Sequence, residues 1–112
     1  MRGPKRVPCA GALAEAYVAM GGAVREYGKP HANAYALCFE RLHTFEKRRV
    51  LAIGDGLFTD IAGAQAAGID ALFIFHGVHG AELGPSPDAE TVTRFCTTHG
   101  QKPLGAMPAL AW

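Results

Sequence analysis

The stretch Ile53-Gly54-Asp55-Gly56-Leu57-Phe58-Thr59-Asp60-Ile61, entered from Val50-Leu51-Ala52, decides how the rest of the chain is read. An apolar run of buried-strand type ends in Asp55, and a second carboxylate, Asp60, follows five positions later. Gly54 and Gly56 flank the first acid and let backbone approach a ligand there. Thr59 to Ala67 is alanine-rich, predicts a helix, and stops at Gly68. Asp60 therefore falls where that helix begins, a favourable place for a carboxylate. Mg²⁺ takes one or two carboxylates and completes its shell with water and phosphate oxygens, so two acids at a strand end suit it.

Outward from this stretch, the elements alternate. Ala71 to Phe75 is a continuously apolar strand, and Arg49 to Ile53 is the strand before it. Uninterrupted apolar strands predict a parallel sheet covered by helices on both faces. Pro85-Ser86-Pro87 predicts a loop, Asp88 the cap of a helix running to about His99, and the Pro- and Gly-bearing tail after Gly100 an irregular end. Upstream, Gly28-Lys29-Pro30-His31 opens a helix with Pro30 at its first position. Ala34, Leu37, Cys38 and Leu42 recur at helical spacing and predict one buried face. Ala23 to Tyr27 fits a short strand or an extended link. Residues 10–20 are rich in helix formers and end at Gly21-Gly22.

Topology brings Lys29 to the two acids. In a right-handed strand–helix–strand unit, the helix starts above the carboxyl edge of the sheet. Lys29 at a helix start and Asp55 at the end of the next strand then share that edge, where open α/β sheets bind ligands. Lysine supplies a compact positive charge for phosphate. Taken singly, each signal has an ordinary meaning: Asp-Gly is a common turn, and Thr-Asp before an alanine run a common helix cap. Their order, with a helix and a strand between them, makes them specific.

Composition bounds the function. The 112 residues hold one small domain, 49% apolar and 19% charged, as in an ordinary globular chain. A net charge of +1 gives no bulk attraction to nucleic acid or membranes. Lys47-Arg48-Arg49 is read as a solvated helix end favouring the dipole there. Cys9, Cys38 and Cys96 show neither metal spacing nor an even count, so reduced structural thiols are expected. No stretch reaches the roughly 18 apolar residues of a membrane span. The basic N-terminus (Arg2, Lys5, Arg6) is broken by Pro4, Pro8 and Glu15, unlike a signal peptide, and a cytoplasmic location is expected.

Gly28-Lys29-Pro30-His31, then Ile53-Gly54-Asp55-Gly56 with Thr59-Asp60-Ile61, then Gly63-Ala64 and Ala67-Gly68-Ile69 resemble the haloacid-dehalogenase-like (HAD) hydrolases, subfamily IIA in particular. The resemblance covers roughly residues 9 to 83, and Cys9 to Leu13 is similar to the end of that subfamily's cap domain. Residues 107–112 resemble the ending of one branch. It implies a partial Rossmann-like α/β/α core with parallel strands, lacking the N-terminal strands and most of the cap. Residues 1–22 would be a cap remnant, 23–100 the C-terminal half of the core, and 101–112 a tail. The family mostly hydrolyses phosphate esters through an aspartyl-phosphate with Mg²⁺, on small phosphorylated metabolites. The resemblance implies that Lys29 is the catalytic and phosphate-steadying lysine, Asp55 and Asp60 the metal-site acids, and Gly54 and Gly56 the shapers of the phosphate loop.

One departure is large. The family's nucleophile lies in an Asp-x-Asp segment, yet the aspartates here are Asp55, Asp60, Asp70 and Asp88, with no two that close. Residues 1–28 contain no Ser or Thr for the family's second phosphate-binding motif. The chain alone is expected to be inactive, to bind Mg²⁺ weakly, and to present an open strand edge that favours self-association or pairing with a chain supplying the missing strands. A non-catalytic partner-binding remnant is the alternative. A receiver-like or nucleotide-binding domain fits poorly, because neither GxxxxGK[ST] nor GxGxxG occurs.

Other residues carry weaker signals. His76 and His79 follow the last strand at the same edge, as loop structure or as lining of a substrate pocket, and His31 would stand at the site entrance. His43 is read as a surface residue near a helix end, Phe73 and Phe75 as core, and Trp112 as a seal or a frayed end.

Overall fold

The structure, a computed structural model, describes residues 8–42 and 46–111; His43 and Trp112 lie outside them. Helix α1 (Ala10–Ala19) and helix α2 (Ala32–Arg41) precede strand β1 (Leu51–Gly54). A wide π-type turn, Leu57–Ile61, leads directly into α3 (Ala62–Ala67). Strand β2 (Asp70–Ile74), the short helix α4 (Gly80–Leu83), helix α5 (Ala89–Thr98) and strand β3 (Gly105–Met107) follow. The sheet is parallel throughout, in the order β1-β2-β3, with Ala52 opposite Ala71, Gly54 opposite Phe73, and Phe73 opposite Ala106. This is the partial Rossmann-like α/β core that the sequence predicts.

Helix ends follow from local chemistry. Gly68 takes a left-handed φ of 70°, donates its N–H to Gln65 O, and is followed by Ile69 N–H bonding Ala64 O. That paired closure satisfies the last carbonyls of α3, and only glycine adopts such a φ without steric cost. Gly100 closes α5 the same way, through Thr97 and Cys96. At the other end of α5, Asp88 accepts the Thr91 N–H at 2.8 Å, as expected of a cap. Val92 and Cys96, one turn apart, are the buried side of that helix.

The core lies between one sheet face and the elements around α3, α4 and α5. Leu57, Ile61 and Phe73 are its largest fully buried side chains, joined by Ala64, Ala71, Phe75, Leu83, Val92 and Cys96. Burying one such large side chain stabilises by about 1.5–3 kcal/mol. Phe73 and Phe75 are thus core residues.

Several expectations are corrected. Among the described residues the second sheet face is only partly covered: Ala71 and Phe73 on the first face are buried, whereas on the other Leu72 and Ile74 are half-buried and Leu51 and Ile53 are each 45% exposed. Helix α2 buries only part of the face predicted for it: Ala34 is half-buried, but Leu37, Cys38 and Leu42 are exposed, and Tyr35 and Phe39 beside the stripe are half-buried. Spacing marks a stripe but does not supply the surface that covers it. Pro30 precedes the N-cap His31 and is not the first helical residue. Residues 23–27 form a link without regular secondary structure, not a strand. Strand β1 starts later than predicted because Lys47–Arg49 makes a single 3₁₀ turn. The basic run serves another helix than its own: Lys47 donates to Ala67 O at 2.7 Å, at the C-terminus of α3. The tail after Gly100 is not wholly irregular, because Gly105–Met107 pairs with β2.

Candidate phosphate and metal site

Parallel strands put all three carboxyl ends on one edge. Asp55 follows β1 there, and the loop after β2 runs beside it. Val78 donates its backbone N–H to Asp55 Oδ2 at 2.9 Å. The approach is close because residue 77 is glycine: a Cβ on Gly77 would lie 2.0 Å from Asp55 Oδ2 and 2.2 Å from Asp55 Cβ.

Asp60 folds back over the strand end. Its Oδ2 accepts the Gly56 N–H at 2.9 Å, and its Oδ1 accepts a hydrogen bond from the Lys29 ammonium. The carboxylate is 10% exposed, whereas the Lys29 side chain is 57% exposed, so the pair is sealed on one side and wet on the other. A Cβ on Gly54 would sit 2.3 Å from Asp60 Cγ, and one on Gly56 would sit 2.1 Å from Thr59 Oγ1. The room that Gly54 and Gly56 leave is therefore filled by the chain's own Asp60 and Thr59. Beneath them, the Gly56 carbonyl accepts from the amides of Thr59, Asp60 and Ile61, which tightens the turn around one point.

The electrostatics follow from these contacts. The hydrogen bond to Asp60 pushes the Lys29 ammonium above its ordinary 10.5 against a partial desolvation, with smaller contributions from the charges of Asp60, Tyr35 and Asp55. Tyr35 donates its hydroxyl to the Asp60 backbone carbonyl at 3.2 Å, and burial, reinforced by the Asp60 charge, pushes its phenol upward. Gly63 admits that contact, since a Cβ there would lie 2.5 Å from the Tyr35 oxygen.

Lys29, Asp55 and Asp60 thus meet at one edge. His31 lies with Lys29 along an open cleft of about 510 Å³ shared with Ala10, Gly11 and Tyr27. His76 stacks edge-on against Phe75, while His79 is buried. Sequence reasoning missed Tyr35, Gly77 and Val78. Tyr35 carries no signal; Gly77, directly after an apolar strand at the ligand edge, is the kind of residue that marks a close approach.

For a cation, the set offers hard carboxylate oxygens, the right kind for Mg²⁺. The number is small: among the described residues no group of three His, Cys, Asp or Glu side chains converges on one point. Both Asp60 oxygens are engaged, while Asp55 Oδ1 has no hydrogen-bond partner among the described residues. The residues fit an Mg²⁺ that keeps most of its water.

Residues 26–97 match the family model described as HAD-hydrolase-like. The chain belongs to that family. This HAD-like chain is 36% identical to a haloacid dehalogenase-like hydrolase from Brucella suis, with a TM-score of 0.65, over 98% of its own length and 40% of the Brucella chain. Two further structures show the same fold. A possible sugar phosphatase from Cytophaga hutchinsonii is 20% identical, TM-score 0.62, over 88% of this chain and 33% of that one. The p-nitrophenyl phosphatase from Archaeoglobus fulgidus is 22% identical, TM-score 0.60, over 88% and 34%. The chain therefore spans about two fifths or less of each of these relatives. No curated protein matches it. No helix among the described residues is long and apolar enough to cross a membrane.

Proposed function

We propose that this chain is the phosphate- and Mg²⁺-handling C-terminal portion of a HAD-type phosphohydrolase of the IIA kind, acting on a small phosphorylated metabolite only when the nucleophile-bearing portion is present. The observation that carries this is the Lys29–Asp60 ion pair set beside Asp55 at the carboxyl edge of a parallel sheet. Members of the family are generally Mg²⁺-dependent.

Each residue then has a physical task. Bound Mg²⁺ supplies charge neutralisation for a transferring phosphoryl group. Asp55 and Asp60 would hold it, Asp55 with its Oδ1, unengaged among the described residues, and Asp60, already bonded to Lys29 and Gly56, as the second carboxylate. Lys29, oriented by Asp60 and kept protonated, places one positive charge on the phosphate side. Gly54 and Gly56 shape the loop by admitting Asp60 and Thr59. No residue here is assigned as nucleophile.

Pure chain is expected to hydrolyse para-nitrophenyl phosphate with Mg²⁺ no faster than background. Turnover abolished by Asp55→Ala would overturn the assignment of a missing nucleophile. The second reading, a non-catalytic remnant that pairs with another chain, is favoured by the half-exposed Leu51 and Ile53 and by the outer edge of β1, which no strand covers among the described residues. Co-purification of the chain with a segment carrying an Asp-x-Asp strand, with recovery of phosphatase activity, would support the first reading; stable pairing without activity would support the second.

A further inference from the structure

We infer that His79 is a positioning residue for the acidic loop, holding it through one defined tautomer of its imidazole. His79 is 7% exposed, packed against the rings of Phe58, Phe73 and Phe95. Its Nε2 lies 3.2 Å from the backbone nitrogen of Leu57, and its Nδ1 lies 2.9 Å from Glu82 Oε1. A backbone N–H only donates, so Nε2 must be bare; an ionised carboxylate only accepts, so Nδ1 must carry the proton. The two contacts demand the same neutral tautomer.

The location gives this a purpose. Leu57 is the first residue of the turn between Asp55 and Asp60, fully buried, and its amide is not among the three, Thr59, Asp60 and Ile61, that the Gly56 carbonyl collects. Two amides there are satisfied by side chains: Gly56 by Asp60 Oδ2, and Leu57 by His79 Nε2. The residue before His79, Val78, holds Asp55 Oδ2. One dipeptide from the β2 loop therefore fixes both the carboxylate and the backbone that follows it. Without the Nε2 acceptor, a buried amide loses its partner and the turn is free to shift relative to Asp55.

The inference rests on the proposed Mg²⁺ site for its purpose but not for its geometry, and the experiment separates the two. In the ¹⁵N-labelled chain, the imidazole nitrogen shifts are expected to show Nδ1–H with bare Nε2; an Nε2–H tautomer or a doubly protonated ring at neutral pH would overturn the inference outright. His79→Phe keeps a buried ring and removes the acceptor, and is expected to speed exchange of the Leu57 amide about tenfold or more. The same variant should weaken the Mg²⁺-induced shifts at Asp55 and Gly56 several-fold, with His79→Gln, which keeps an acceptor at comparable reach, recovering both. A folded His79→Phe chain with unchanged Leu57 exchange, or a folded His79→Gln chain that recovers nothing, would make His79 mere core. If the unaltered chain shows no Mg²⁺ response, the metal assignment fails while the tautomer and exchange results still judge His79. Should a variant fail to fold, the tautomer of the unaltered chain decides.

Discussion

Replacing Asp60 should harm the fold far more than replacing Lys29, although the two form one ion pair. The carboxylate is the inner partner, 10% exposed and bonded to the Gly56 amide; the ammonium is the outer one, 57% exposed. Asp60→Ala leaves the Gly56 N–H without its charged acceptor, at about 1.5–3 kcal/mol, and gives up a screened ion pair of at most about 1 kcal/mol. The expected loss is about 2–4 kcal/mol, large against the roughly 5–15 kcal/mol that holds a domain together. Lys29→Met removes only the screened part, because water takes the place of the ammonium at Oδ1, and about 1 kcal/mol or less is expected. Urea unfolding followed by circular dichroism and by tyrosine fluorescence measures both midpoints. An equal or larger loss from Lys29→Met would show that the lysine, not the loop amide, holds the carboxylate, and the geometric account would fail.

Other consequences follow from the same contacts. Gly77→Ala drives a methyl group into Asp55 Cβ as well as its Oδ2, where rotation of the carboxylate brings no relief, so a loss of about 1–3 kcal/mol and displaced Asp55 and Val78 amide resonances are expected; an unchanged midpoint would refute the contact. Lys29 and Tyr35 both hold their protons more tightly folded than unfolded. Their contribution is fully present below the ordinary values of 10.5 and 10.0 and is lost as pH rises through the higher folded ones, so urea midpoints should fall at alkaline pH, and less steeply in Lys29→Met. Cys9, exposed at the N-cap of α1, has its thiol pushed down by the backbone N–H groups of Ala12 and Gly11, whereas burial pushes Cys96 up. Iodoacetamide should modify Cys9 well before Cys96 in the native chain, and equal rates would contradict the placement of α1 or α5. Ile53→Lys on the open sheet face should reduce concentration-dependent association in sedimentation; a strictly monomeric parent chain would remove the basis for it.

The parts of the fold legible in the sequence are those whose cause is local. Gly68 and Gly100 stop helices because their backbone angles are forced, Asp88 caps because its neighbours present free amides, and Ala71 to Ile74 fall in a strand because that run is apolar at every position. What escaped depends on distant surfaces. Gly105–Met107 becomes a strand because β2 offers it an edge, not because its residues favour one. The stripe on α2 stays exposed because nothing among the described residues lies over Leu37 and Cys38. At the site, Lys29, Asp55 and Asp60 were readable because a charge at a helix start and charges at a strand end share an edge by topology. Tyr35 and Gly77-Val78 were not, and His79 was readable only as a residue at that edge, because these act through a hydroxyl, a backbone amide and a ring nitrogen whose partners lie 22 to 25 positions away.

The most direct test of the shared phosphate and Mg²⁺ site is a titration of the ¹⁵N-labelled chain with Mg²⁺, alone and with inorganic phosphate, repeated on Asp55→Asn. Saturable shifts confined to the amides of Asp55, Gly56, Asp60 and Val78, weaker than micromolar in affinity, strengthened by phosphate and abolished in the variant, are the predicted result. Shifts elsewhere in the chain, or a response that survives Asp55→Asn, would contradict it.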